Sequence, residues 1–177
     1  MTGQLVLLCG RSFSGKSTVA SFLADSLPGS VVSLDAINEE RGLHGGQGIP
    51  LSEWARTNEL ARQRVAAQLY EGATVIVDDT SSPRFLRDEW RSTCASAGAP
   101  MVLVFVDTSD EVIGQRLLAN RVASNRRDVT DEVMATHAAG FEPPEDAERT
   151  VRLRTGSSPP DLNELTTAVR LHLNQFR

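Results

Sequence analysis

The sequence predicts an α/β fold: a three-layer α/β/α sandwich on a five-stranded, mainly parallel sheet, with a small helical lid. Three observations predict it. Short apolar runs alternate with helix-period stretches along the whole chain; four of the five strand candidates are strongly apolar; and glycine or acidic residues close the strands. Strands buried on both faces read as continuous apolar runs, and their alternation with helices gives a parallel sheet covered on both sides.

"QLVLLC" (4–9) is the first strand, ending at Gly10. A helix follows over about 16–27 and is stopped by Pro28 and Gly29. "SVVSLD" (30–35) reads as a second strand closing on Asp35, and residues 38–50, rich in glycine, as a loop. Ser52 is placed to cap a long helix carrying Trp54, Ala61, Val65 and Leu69 at helical spacing, with Gly72 just past its end. "ATVIVDD" (73–79) is the third strand, and Pro83 opens a helix that runs to Ala97. "MVLVFVD" (101–107) is the fourth strand, before a helix from Ser109 or Asp110 toward Arg121 and a polar, arginine-bearing stretch with a short helix over 121–140. "RTVRLRT" (149–155) supplies the fifth strand, and residues 161–176 an amphipathic closing helix.

The bulk numbers agree with one domain spanning residues 1–177. A chain of 177 residues with 40% hydrophobic and 23% charged content can bury one substantial core, which excludes general disorder. No apolar run approaches the ~18 residues that span a bilayer, and the first residues enter a strand directly, so a cytoplasmic protein without membrane partners is expected. Cys9 and Cys94 are too few for a metal or disulfide pattern, and Cys9 reads as a core residue. A net charge of −5 weighs against duplex nucleic acid as the main partner.

"GRSFSGKS" (10–17) satisfies G-x-x-x-x-G-K-[ST] at Gly10, Gly15, Lys16 and Ser17, between an apolar strand and an amphipathic helix. Such a Walker A loop turns backbone N–H groups inward around phosphates, which requires positive φ, while the helix N-terminus presents its unpaired amides to the same anion. This predicts a P-loop NTPase fold with ATP bound through Gly10, Ser12, Ser14, Gly15, Lys16, Ser17 and Thr18. Lys16 should reach the β- and γ-phosphates, and Ser17 should ligate Mg²⁺. The loop alone serves kinases, motors, switches and transporters alike.

The reaction must come from elsewhere. Ligands bind beyond the carboxyl ends of parallel strands, where Gly10, Asp35, Asp78 and Asp107 all fall. Asp35 is either a base for an acceptor hydroxyl or a helix N-cap, and the base reading is preferred. Of Asp78 and Asp79, either of which could be the metal-site acid or cap the helix before Pro83, Asp78 is preferred as a Walker B acid holding Mg²⁺ because it ends the apolar VIVD run, with Asp79 preferred for fixing the following turn. Arginines gather late, at Arg84, Arg87, Arg91, Arg116, Arg121, Arg126 and Arg127, so a cationic lid is placed at about 116–140. His44 lies in the glycine-rich loop where it can touch an acceptor; His137 and His172 read as surface or packing residues, and Trp54 as a core or groove anchor.

Taken together, "GRSFSGKST", "SLDAINEERGLHG", "VIVDDTSSPRFLR", "FVDTSDEVIGQRLLANR" and "DVTDEVMATHAAGFEPPED" resemble the small P-loop kinases of the polynucleotide-kinase and zeta-toxin type, a group associated with AAA-type ATP-binding kinases. The resemblance covers about residues 4–155. It implies Asp35 as the base, Asp78 with Thr80 and Ser81 near the metal or acceptor, and Arg116 and Arg121 as catalytic lid arginines. It also implies that the segment from Phe141 packs near the nucleotide base. Many such kinases carry an arginine three residues after the base; here that position is Asn38, which argues against a phosphorylated acceptor unless Arg41 substitutes. The expectation is an ATP- and Mg²⁺-dependent kinase acting on a hydroxyl of a small molecule. A polynucleotide 5′-hydroxyl kinase is the alternative, and a nucleotide-dependent switch the alternative from another class.

Overall fold

A computed structural model describes residues 2–43, 48–124, 129–156 and 159–175. Five strands, β1 (Gln4–Cys9), β2 (Ser30–Ser33), β3 (Thr74–Asp78), β4 (Met101–Thr108) and β5 (Val151–Thr155), form one sheet in the order β2-β3-β1-β4-β5. Every pairing is parallel, so the sheet is wholly rather than mainly so. The helices are α1 (Lys16–Ser26), α2 (Leu34–Glu40), α3 (Leu51–Tyr70), α4 (Arg84–Ser96), α5 (Asp110–Ala123), α6 (Asp131–Ala139) and α7 (Leu162–Asn174).

The apolar strands fill two layers because successive side chains point to opposite faces. Leu5, Leu7 and Cys9 of β1 pack with Val75, Val77, Leu103 and Phe105 against α3 and α4. Val6 and Leu8 pack with Ile76, Val102 and Val104 against α1 and α7. Each fully buried leucine or valine here contributes about 1.5–3 kcal/mol of transfer free energy. Trp54 packs, half-buried, on the first layer. Cys9 is fully buried and burial pushes its thiol up to about 12, so it is a protonated core residue.

A third, smaller apolar cluster joins Phe13, Ile113 and Leu117, with Val129 and Met134 against it. It ties the turn after β1 to α5 and α6. Helix α6 itself buries no residue, so this cluster is its main apolar attachment.

Several element boundaries differ from those the sequence predicts, three of them near the edge that carries Asp35 and Asp78 or at helix starts. Residues 34–40 form α2 instead of a strand end and loop: the Ser33 hydroxyl accepts from the Ala36 amide at 3.3 Å, and Leu34 and Ile37 are buried beneath the helix. A hydroxyl at the N-cap satisfies one of the four orphan donors, which favours a helix directly after the strand. Helix α3 starts at Leu51 with Pro50 at its N-cap, so Ser52 lies inside the first turn. Pro83 is the N-cap of α4 rather than a first-turn residue. Among the described residues, no helix is long and apolar enough to cross a membrane.

Candidate active site

The turn between β1 and α1 is built by close packing. A Cβ at Gly10 would stand 2.8 Å from the Val106 carbonyl oxygen and 2.9 Å from Ser14 Oγ, so only glycine fits. Gly15 has φ 101°, and a side chain there would be strained and would meet Arg116 Nη1 at 3.2 Å. Phe13, at φ 62°, is held by the small apolar cluster. Gly15 offers α1 no side-chain cap and the first turn contains no acid, which leaves its amides available to an anion. Ser17 and Thr18 are exposed on that turn, Ser12 is partly exposed, and Ser14 Oγ is buried without a partner. Lys16 Nζ donates to the Arg11 carbonyl at 2.9 Å.

The acids stand on the same sheet edge as this lysine. In the sheet register Ser33 lies opposite Asp78, which puts the start of α2, with Asp35 exposed in its first turn, beside the end of β3. Burial lowers the Lys16 pKa, and Asp78, Asp79 and Asp35 oppose that shift through their charge. Asp79 is pulled the other way: burial raises its pKa, against the Ser81 amide bond, at 2.8 Å, and the charge of Lys16. Asp79 Oδ2 also lies 3.3 Å from the Ser81 hydroxyl, which ties this carboxylate to the turn that follows β3. Among the described residues, no group of three or more His, Cys, Asp or Glu could hold a metal alone. A Mg²⁺ here would have to share Ser17 and Asp78 with nucleotide phosphates, as that ion usually does, and the orphaned Ser14 hydroxyl and open α1 amides suit a polyphosphate.

The arginines divide sharply. Arg116 Nη1 donates to the carbonyls of Ser14, at 2.6 Å, and Phe13, at 3.1 Å, so α5 is clamped onto the phosphate turn. Arg121 instead bonds Asp131, at 2.7 Å, and the Val129 carbonyl, at 3.0 Å, joining α5 to α6. Arg84, Arg87 and Arg91 are engaged by Glu145 and Glu148. Arg126, Arg127 and His44 lie outside the described residues. Phe141 stacks on Phe105, ring centroids 6.1 Å apart, beneath the sheet's first layer. Asp107, the fourth rim acid, pairs with Arg152 at 3.2 Å.

Two contributors escaped the sequence reading. Arg11 pairs with Asp110 and donates to the Thr108 carbonyl at 3.0 Å, tethering the turn to the end of β4. Thr108 Oγ1 meets the Ser14 carbonyl at 3.0 Å and contacts Thr155 Oγ1. No local signal marks either, because each partner lies about a hundred residues away or on another strand.

A family model described as an AAA domain matches residues 5–144 of this sequence. The chain belongs to the AAA domain family. No curated protein matches this AAA domain chain by sequence. Among solved structures it is similar to the APS kinase of Mycobacterium tuberculosis in complex with AMPPNP and APS, at 23% identity and TM-score 0.72 over 98% of each chain. It is also similar to a gluconokinase of Sinorhizobium meliloti 1021, at 23% identity and TM-score 0.70, over 98% of this chain and 95% of that one. A sugar kinase of Janibacter sp. HTCC2649 gives 23% identity and TM-score 0.69 over 98% of each chain. This AAA domain chain therefore has the P-loop kinase fold.

Proposed function

We propose that this chain is an ATP-dependent phosphotransferase that moves the γ-phosphoryl of ATP to a hydroxyl of a small-molecule acceptor, within a single domain whose lid is formed by residues 116–140. The observation that carries this reading is the placement of Lys16, Asp78 and Asp35 on one edge of the sheet, at the start of α1, the end of β3 and the first turn of α2, with Ser33 opposite Asp78 in the register. A nucleotide-binding switch needs the lysine and a metal acid; the additional exposed carboxylate of Asp35 is what a hydroxyl acceptor requires. The names of the structural neighbours, an APS kinase, a gluconokinase and a sugar kinase, support small-molecule phosphorylation.

In this mechanism Gly10, Ser12, Ser14, Gly15 and Thr18 line the phosphates, and Lys16 holds the β- and γ-phosphates in line with the acceptor. Bound Mg²⁺, on Ser17 and Asp78, would supply charge neutralisation of the phosphates. Asp35 takes the proton from the acceptor hydroxyl as its oxygen bonds to the γ-phosphorus and the bond to the β–γ bridging oxygen breaks, releasing ADP. Arg116 reaches the transferring group from the clamped end of α5, and Arg121 holds α6 over it.

The test is product formation from ATP and a panel of hydroxyl-bearing metabolites. Asp35→Asn is expected to lower kcat by about 100-fold or more while nucleotide binding persists. Full transferase activity in Asp35→Asn would remove the base assignment, and acceptor-independent ATP turnover alone would favour a switch.

A further inference from the structure

Between α3 and α2, the helix that carries Asp35 in its first turn, lies a buried polar cluster that the chemistry above does not use. Arg41 donates through Nη1 to Thr57 Oγ1, at 2.6 Å, and to the Glu53 carbonyl, at 2.8 Å, and its Nη2 pairs with the Glu53 carboxylate. Having accepted from Arg41, the Thr57 hydroxyl gives its own proton to Asn38 Oδ1. That direction of donation orients the Asn38 amide and leaves Nδ2 as a buried donor with no partner. Asn58, the next residue of α3, donates from Nδ2 to the Trp54 carbonyl at 3.0 Å and keeps Oδ1 as a buried acceptor with no partner. Asn38 is 3% and Asn58 6% exposed, and each unmade bond of this kind costs about 1–3 kcal/mol.

The charges around the cluster are spoken for. Arg41 is neutralised by Glu53, Arg64 by Glu40, and Arg62 by Glu59 and Glu89. Arg56 is exposed, on the side of α3 away from its buried Ala61 and Val65. No other lysine or arginine occurs between residues 30 and 70, whereas Asp35 and Glu39 are exposed on α2. Among the described residues, an anionic acceptor would meet the Asp35 and Glu39 carboxylates on α2, while Arg41, Arg62 and Arg64 are already paired.

We propose that the acceptor is an uncharged, hydroxyl-rich compound of the sugar or polyol class, selected by Asn38 and Asn58, with Glu53 withholding Arg41 from it. The proposal rests on the kinase reading above and names its substrate class. A hydroxyl donates and accepts, which complements a spare amide NH₂ and a spare amide oxygen; a carboxylate or phosphate dianion only accepts. Asn38 lies one turn after Asp35 on α2, and Arg41, the arginine that follows it, is held by its bonds to Glu53 and Thr57.

The experiment compares acceptors that share a carbon skeleton: a neutral sugar or polyol, its sugar acid and its phosphate monoester, each incubated with ATP and Mg²⁺ while phosphorylated product is measured. The neutral member is expected to give the highest kcat/KM. Asn38→Asp and Asn58→Asp should raise its KM about tenfold or more with a much smaller change in kcat. Glu53→Gln, on a half-exposed side chain, should release Arg41 and raise the kcat/KM of the anionic members relative to the neutral one about fivefold or more. Preference of the native protein for an anionic member overturns the inference, and so does unchanged KM in both asparagine variants, the result expected if buried water alone completes the two amides. If either asparagine variant fails to fold, the Glu53→Gln shift decides. ATP hydrolysis with no acceptor phosphorylated in any arm would instead overturn the kinase reading itself.

Discussion

Arg87 and Glu148 meet in a forked ion pair, Nε and Nη2 each 2.8 Å from a carboxylate oxygen, with both side chains 1% exposed. Arg87 Nη1 also donates to the carbonyls of Ser81, at 2.9 Å, and Glu142, at 3.0 Å. One buried guanidinium thus holds the turn after Asp78 and Asp79 to the segment that returns from α6, with Arg91 adding a bond to Glu148 at 2.7 Å.

Removing one partner of such a pair strands the other as a buried charge. Arg87→Ala and Glu148→Gln are each expected to lower unfolding free energy by about 3–5 kcal/mol, read from the midpoint of a urea titration. A loss below about 1 kcal/mol in both would mean that the fork is not a structural tie.

The same pair gives a pH signature. Burial would raise the Glu148 pKa, but hydrogen bonds from Arg87 and Arg91 outweigh it and hold the carboxyl down at about 2, against 4.5 ordinarily. A depressed acid contributes stability that is fully present above 4.5 and is lost as pH falls toward about 2. Urea midpoints across that window should fall more steeply for the native protein than for Glu148→Gln. Parallel slopes would show that Glu148 does not titrate as part of the fork.

Lys16 is the single lysine of the chain, which makes it chemically addressable. Because burial lowers its pKa, an amine acylating reagent followed by peptide mapping should modify Lys16 at a pH where an ordinary surface lysine is still largely protonated. Saturating ATP with Mg²⁺ should protect it, and Lys16→Ala should abolish nucleotide binding. Modification undiminished by ATP would sink the placement of Lys16 at the phosphates.

The two arginines of α5 should separate in kinetics. Arg116, bonded to the phosphate turn, is expected to cost about 100-fold in kcat when changed to Ala. Arg121, whose side chain is 30% exposed in its pair with Asp131, should cost less than about tenfold. Equal losses would show that the lid works through both.

The phosphate turn was readable because its demands are local: glycine where Gly10 meets the Val106 carbonyl, positive φ at Gly15, and a lysine and hydroxyl opening α1. The strands were readable because β1, β3 and β4 are buried on both faces and so carry unbroken apolar runs. Helix α2 was hidden, since its seven residues are too few to show a period and its buried set includes the polar Asn38. The role of Arg87 was hidden as well, because its partner Glu148 lies 61 residues onward.

By itself, then, the sequence determined the α/β alternation, the phosphate turn and the edge on which Asp35 and Asp78 stand, because backbone sterics and apolar periodicity act over a few residues. Only the tertiary structure decided the order β2-β3-β1-β4-β5, which arginines remain free of carboxylates, and which amide groups of Asn38 and Asn58 are left without partners. Those outcomes depend on hydrogen bonds and ion pairs between elements far apart in the chain, where no local pattern records the partner.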